Sequence, residues 1–220
     1  MNEAPASNDE PRDAHDDGAA PGGLPPVDPK RVLAPAVELI SAPAAFYRGM
    51  PQSGGYQEPL LFLVTMSLVA TVLSLLLGFV GLGVGGFIAG GLIAVILVPI
   101  VASIVAFIAA GIFYGVWMLM GSGKDYEAAF RCVAYTAAVA PITTVLDMIP
   151  YIGTLVAVLW PMGLLAIASI EVHGRKPQAA WFVFGLLGLV LALSNLSAER
   201  KTRDLADELQ GFRDALEQRD

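Results

Sequence analysis

The 220-residue chain is 55% apolar and 15% charged, with a mean hydropathy of +0.64 and a net charge of −7. An average soluble domain is nearer 45–50% apolar and about 25% charged, and here only eight of the 33 charged side chains fall within residues 59–196. A soluble domain is thereby excluded, and so is a nucleic-acid partner, which needs a basic face.

What remains is an all-α integral membrane protein, a helix bundle in the lipid bilayer with polar ends. The one cysteine, Cys132, excludes an internal disulfide and a cysteine-rich metal site. No secretory signal is expected, because the first apolar run begins only near Leu60.

Residues 1–30 carry seven acidic side chains against Arg12 and Lys30, with no periodic apolar face. They are expected to be a disordered acidic tail. Leu33, Ala36, Val37 and Ile40 then recur at helical spacing, followed by Phe46, Tyr47 and Arg48. Residues 31–58 are therefore predicted to be an amphipathic segment at the membrane interface.

Residues 59–196 hold five apolar stretches. A crossing takes roughly 20 residues for a hydrocarbon core of about 30 Å. The stretches 59–81, 128–149, 151–170 and 179–196 each suit one crossing. The stretch 85–120 would make a helix of about 54 Å, too long for one upright span. One span kinked at Pro99, with a Gly-rich start at or beyond the interface, gives five helices. Two crossings would give six and move the C-terminus to the other side. With five spans and the N-terminus inside, Lys30, Arg31, Arg48, Lys124, Arg131, Arg175 and Lys176 fall on the inner face. Arg200, Lys201 and Arg203 oppose that orientation. After Ser197 the chain is polar, and Leu205, Leu209, Phe212 and Leu216 form an a/d-type stripe. Two heptads fall short of a coiled coil, so 197–220 is predicted to be an amphipathic helical tail.

Candidate chemistry is sparse. No metal, cofactor or catalytic motif is present, so no enzyme, no catalytic residue and no cofactor are expected. Ser169 and His173 lie one helical turn apart, but a helix-end serine beside an exposed loop histidine is the favoured interpretation. Arg131, Asp147 and Glu171 are the intramembrane ionisable candidates. All three sit near span ends, which weighs against ion-coupled transport. Ser67, Thr71, Ser74 and Gly78 form a small-residue stripe on the first span, and Thr136, Ala140, Thr143 and Asp147 another on the third. Such stripes suit close helix packing or a polar path. Pro99, Pro141 and Pro161 lie inside spans two, three and four, where each removes a backbone donor. Trp117, Trp160 and Trp181 are expected to be interfacial anchors.

Three stretches together resemble the Yip (Ypt-interacting-protein) membrane domain, over roughly 43–180. They are P-A-A-F-Y-R-G-M-P-Q-S-G-G-Y-Q-E-P-L-L-F (43–62), G-S-G-K-D-Y-E-A-A-F-R-C-V-A-Y-T (121–136) and I-P-Y-I-G-T-L-V-A-V-L-W (149–160), the last running on to Glu171-Val172-His173. The resemblance implies a five-helix bundle with a cytoplasmic N-terminal tail. It also implies a non-enzymatic role in membrane organisation or trafficking, here in a bacterial-type member of the inner (plasma) membrane. The D-L-Y-G-P element of trafficking members is absent, which weighs against a small GTPase partner. A homo-oligomer or other membrane proteins are the candidate partners. Arg131 and Tyr135, one turn apart, are expected to anchor the third helix at the inner face. The alternative is a passive channel or small-solute permease using the stripe of span one and the proline kinks.

Overall fold

The structure, a computed structural model, describes residues 29–217, with the side chains of 33–78, 91 and 93–212. The expected acidic tail lies mostly outside this range, as does the side chain of Leu216. Seven α-helices follow in order: α1 (Pro29–Ser41), α2 (Pro43–Gly49), α3 (Gln57–Leu119), α4 (Tyr126–Tyr135), α5 (Ala140–Leu146), α6 (Ile152–Glu171) and α7 (Pro177–Glu217). A 3-10 helix, Thr136–Val139, joins α4 to α5.

At 1.5 Å per residue a straight α3 of 63 residues would measure about 95 Å. It is not straight. A Cβ built on Gly91 would sit 3.5 Å from the Leu75 side chain, and the ring of Tyr56, at the start of α3, lies 5.9 Å from that of Phe107. Both contacts require the chain to reverse between Leu75 and Gly91, so α3 is a pair of antiparallel arms. The sequence there holds Gly78, Gly81, Gly83, Gly85, Gly86 and Gly90, which weaken helix propensity and tolerate bending. Among the described residues, five helical stretches are long and apolar enough to cross a bilayer: Gln57–Gly78, Ile93–Leu119, Tyr126–Leu146, Ile152–Glu171 and Pro177–Phe212. The region 85–120 therefore holds one such stretch, and the expected bundle of about five helices is what the described residues build.

The third span is the hub. Ala128 to Tyr135 are all buried, because both arms of α3 and α6 pack around it. Its alanines let those backbones come close. Pro141 explains its break: without a donor at 141, the carbonyl of Ala137 is instead reached by the N–H of Ala140. Helices α3 and α6 continue through Pro99 and Pro161. Helix α1 buries Ala36 and Leu39 and packs against α2 and the 3-10 segment, leaving Leu33 and Val37 exposed.

The loops 50–56, 120–125 and 172–176 share one end of the bundle, the near face. The reversal of α3, the turn 147–151 and the emergence of α7 share the far face. There Glu199 accepts bonds from the Thr154 hydroxyl (2.6 Å) and the Tyr151 N–H (3.3 Å) and pairs with Arg203 (2.8 Å). Arg203 also lies 5.3 Å above the Tyr151 ring. These contacts hold Tyr151 at φ 66°, a left-handed conformation uncommon for a residue with a side chain. Helix α7 runs unbroken for 41 residues, about 60 Å, twice the hydrocarbon thickness, so the polar tail is the outer half of the fifth helix.

Candidate functional site: a polar cap on the near face

The loop between α2 and α3 carries Gly54 at φ +122° and Gly55 at φ +87°, conformations that favour glycine. They present the Gly55 peptide edgewise to α4. Its N–H donates to Glu127 Oε1 (2.7 Å), and its carbonyl accepts from Arg131 Nη2 (2.8 Å). Glu127 and Arg131 are one turn apart on α4 and also meet each other (3.3 Å). Arg131 Nη1 reaches Glu58 at 3.4 Å. The guanidinium side chain is 1% exposed while that of Glu58 is 70% exposed, so the Glu58 pair is weak. The strength lies in the planar fork, which serves a carboxylate and a carbonyl at once.

Aromatic rings secure the same loop from the membrane side. Tyr56 sits against Phe107, Tyr126 and Phe130. Phe107 and Phe130 stack at 4.2 Å, and the Tyr126 hydroxyl donates to the Phe107 carbonyl (2.7 Å). One turn deeper, Tyr135 packs between Phe46 (5.0 Å) and Phe62 (4.9 Å). Beside it the buried Tyr47 hydroxyl donates to the Cys132 carbonyl (3.4 Å). Across the cap, Arg48 holds Glu171 through two 2.9 Å bonds.

The third corner is built on Trp117. Its ring stacks on His173 at 3.9 Å, and its Nε1–H donates to Ser169 Oγ (2.7 Å), which in turn donates to the Leu165 carbonyl (2.7 Å). Ser122 Oγ and His173 Nδ1 are 2.8 Å apart. Arg175 closes the corner by donating to the carbonyls of His173 (2.8 Å) and Met120 (2.7 Å). His173 Nε2 is buried without a partner among the described residues. Placing the ring proton on Nδ1, toward Ser122, leaves Nε2 as a bare acceptor and avoids an orphaned buried N–H.

Burial, reinforced by Lys124 and Arg175, lowers the pKa of His173 to about 4. A base whose folded pKa lies below its unfolded value of 6.5 contributes fully above pH 6.5. That contribution falls as the pH drops from 6.5 towards 4 and is gone below. Its full size is about 3 kcal/mol at 1.36 kcal/mol per pH unit. The expected result is that wild-type protein in detergent loses more thermal stability between pH 7.5 and 4.5 than His173→Gln does. Parallel curves for the two would contradict the assignment.

Two expectations are corrected here, those for Trp117 and His173. Trp117 is fully buried inside the bundle and so is no interfacial anchor, whereas Trp181 is exposed. His173 is 3% exposed, not a surface loop histidine, because Trp117 and the 120–125 turn cover it. Ser169 bonds to Trp117 rather than to His173. Arg131 and Tyr135 both lie in the cap, but they grip different partners. Ser67, Thr71 and Thr143 are buried while Ser74 is exposed. The three buried hydroxyls donate to carbonyls of their own helices: Val64, Ser67 and Ala140. Asp147 lies on the far face, apart from Arg131, its carboxyl pKa raised by burial and by Glu199. Pro99, Pro141 and Pro161 sit within the bundle, away from the cap.

Glu58, Glu127, Gly54, Gly55 and Ser122 were not singled out from sequence. The four-residue spacing of Glu127 and Arg131, with a Gly-Gly pair before the first span, was the available signal. Among the described residues no group of three His, Cys, Asp or Glu side chains could hold a metal ion.

In comparisons with known proteins, the family model of the Yip1 domain matches residues 37–196. No curated protein and no solved structure matches. The match begins within α1 and ends where the apolar part of α7 ends, so it takes in the whole cap.

Proposed function

The chain belongs to the Yip1 domain family, and from that premise we propose that this multi-pass membrane protein is a non-enzymatic scaffold, organising membrane or trafficking components through helix–helix and protein contacts. The observation that carries the proposal is the cap itself. Three loops separated by whole membrane crossings are knitted into one polar surface by Arg131, the Arg48–Glu171 pair and the Trp117–His173 stack. Such a surface keeps Ser53, Tyr56, Gln57, Lys124 and Lys176 exposed on a rigid base, the condition for a protein contact with little ordering cost. In this proposal Arg131 and Tyr135 act by positioning, and the cap faces the cytoplasm of a cell whose inner (plasma) membrane holds the protein.

Photo-cross-linkers placed at Ser53, Lys124 and Lys176 test it in intact cells. Discrete protein adducts are expected from these positions but not from Met148, exposed in the far-face turn. They should disappear when Arg131→Ala frees the loop. Equal adduct patterns from both faces, or none from the cap, would sink the scaffold. The buried stripe hydroxyls, each bonded within its own helix, leave little to line a solute path, so purified protein should raise no solute flux in liposomes.

A further inference from the structure

Past Arg203 the outer part of α7 stands clear of the bundle and shows Leu205, Leu209 and Phe212 at 59%, 64% and 64% exposure. These belong to a longer run: Asn195, Ala198, Thr202, Leu205, Leu209, Phe212 and Leu216 follow one another at spacings of three and four without a break. That is three heptads of alternating a and d positions. Glu199 and Arg203, bound to Thr154 and Tyr151, mark the side of α7 turned to its own bundle. At 100° per residue the run lies about a third of a turn away from them, so a partner can reach it without meeting the bundle.

We propose that this face pairs with the same face of a second copy of the chain in the same membrane, as a short parallel, in-register coiled coil. Charge selects that occupant. Glu208 precedes the a position Leu209, and Arg213 follows the d position Phe212. In a parallel in-register pair, the flanking position held by Glu208 in each copy therefore lies opposite the one held by Arg213 in the other, twice by symmetry. The other flanking pairs, Ser194 with Glu199 and Lys201 with Ala206, bring no like charges together. Topology selects the same arrangement, since copies inserted alike send their tails from one face, side by side and at one height. Confinement to the bilayer raises the effective concentration of the tails, which lets so short a coil suffice. Asn195, at an a position, supplies a polar register mark of the kind that fixes strand number. The inference deepens the scaffold proposal by naming one partner, and rests on it only in that sense.

The test uses the full chain in native membranes, with a cysteine introduced as Leu205→Cys, Leu209→Cys or, as an off-face control, Asp207→Cys. Native Cys132 is fully buried and can stay. Under mild oxidation, disulfide dimers are expected at least tenfold faster at 205 and 209 than at 207. Adding Glu208→Arg should slow them, and adding Arg213→Glu as well should restore them. Equal rates at all three positions would reveal random collision and overturn the proposal. So would the absence of dimers, including the case in which the 209 thiol is shielded in membranes but open after purification, the mark of a different protein on this face. Cap adducts that survive in Leu209→Arg would show the scaffold proposal standing independently of the pair.

Discussion

Arg131→Ala is expected to cost about 3 kcal/mol of bundle stability, near the lower end of the range for removing one partner of a buried ion pair. The lower end applies because Glu58 is 70% exposed and water replaces its share. The rest of the loss is not replaced. The Gly55 carbonyl gives up its donor, Glu127 keeps only the Gly55 N–H among these contacts, and the volume of a fully buried side chain is emptied between loop and helix. Arg131→Lys should recover part of the loss, since a single ammonium cannot serve carbonyl and carboxylate in one plane. Unfolding in mixed micelles gives the energy. Thiol labelling of Ser53→Cys gives the locality: the rate should rise steeply in Arg131→Ala and modestly in Arg131→Lys. Unchanged labelling in both would show that the loop is held by its aromatics alone.

Gly153→Ala should be comparably damaging for a different reason. A Cβ at 153 would lie 2.5 Å from the Leu146 carbonyl oxygen and 2.7 Å from the Asp147 nitrogen, and closer still to the Asp147 Cα. These are backbone atoms of the preceding span, so no rotamer change makes room. The start of α6 must shift, at about 3 kcal/mol, the upper end for overpacking. Gly188→Ala is the control. There the new Cβ meets Met162 Cβ and Cγ at 3.2 Å and Leu159 Cδ2 at 3.4 Å, contacts that a shift of a few tenths of an ångström relieves, so the cost should be about 1 kcal/mol, the lower end for overpacking. Thermal unfolding of the two variants side by side should separate them widely. Similar values would mean that the turn 147–151 is far more yielding than its geometry indicates.

The frame of the molecule was legible because lipid imposes it. Length and hydropathy placed all five crossings, and Pro141, with no donor to offer, sits where the third helix breaks. The polar cap was less legible. Arg131 and Tyr135 stood out as lone polar and aromatic residues, but their partners come from Gly54–Glu58, some 70 residues earlier, and nothing in local spacing states that pairing. Trp117 and His173 were misjudged for a related reason. A tryptophan near a span end usually meets headgroups, and a histidine in a turn usually meets water. Here each covers the other, which a single chain read in order cannot reveal. The reversal of α3 was legible as excess length, not as a site, because its glycines carry no chemistry.

That reversal bears on how the chain enters the membrane. From Pro59 to Met120 there is no Asp, Glu, Lys or Arg at all, and the two arms pair antiparallel along this stretch. A charge near mid-membrane costs about 2.5–3.5 kcal/mol on the translocon scale, so the first two crossings can be delivered together, as one pre-paired hairpin whose leading tip drags no charge through the lipid. The next excursion must carry Asp147 to the far side. Biogenesis thus has a natural order, with the uncharged hairpin inserting first and forming the wall against which the central third helix is then laid.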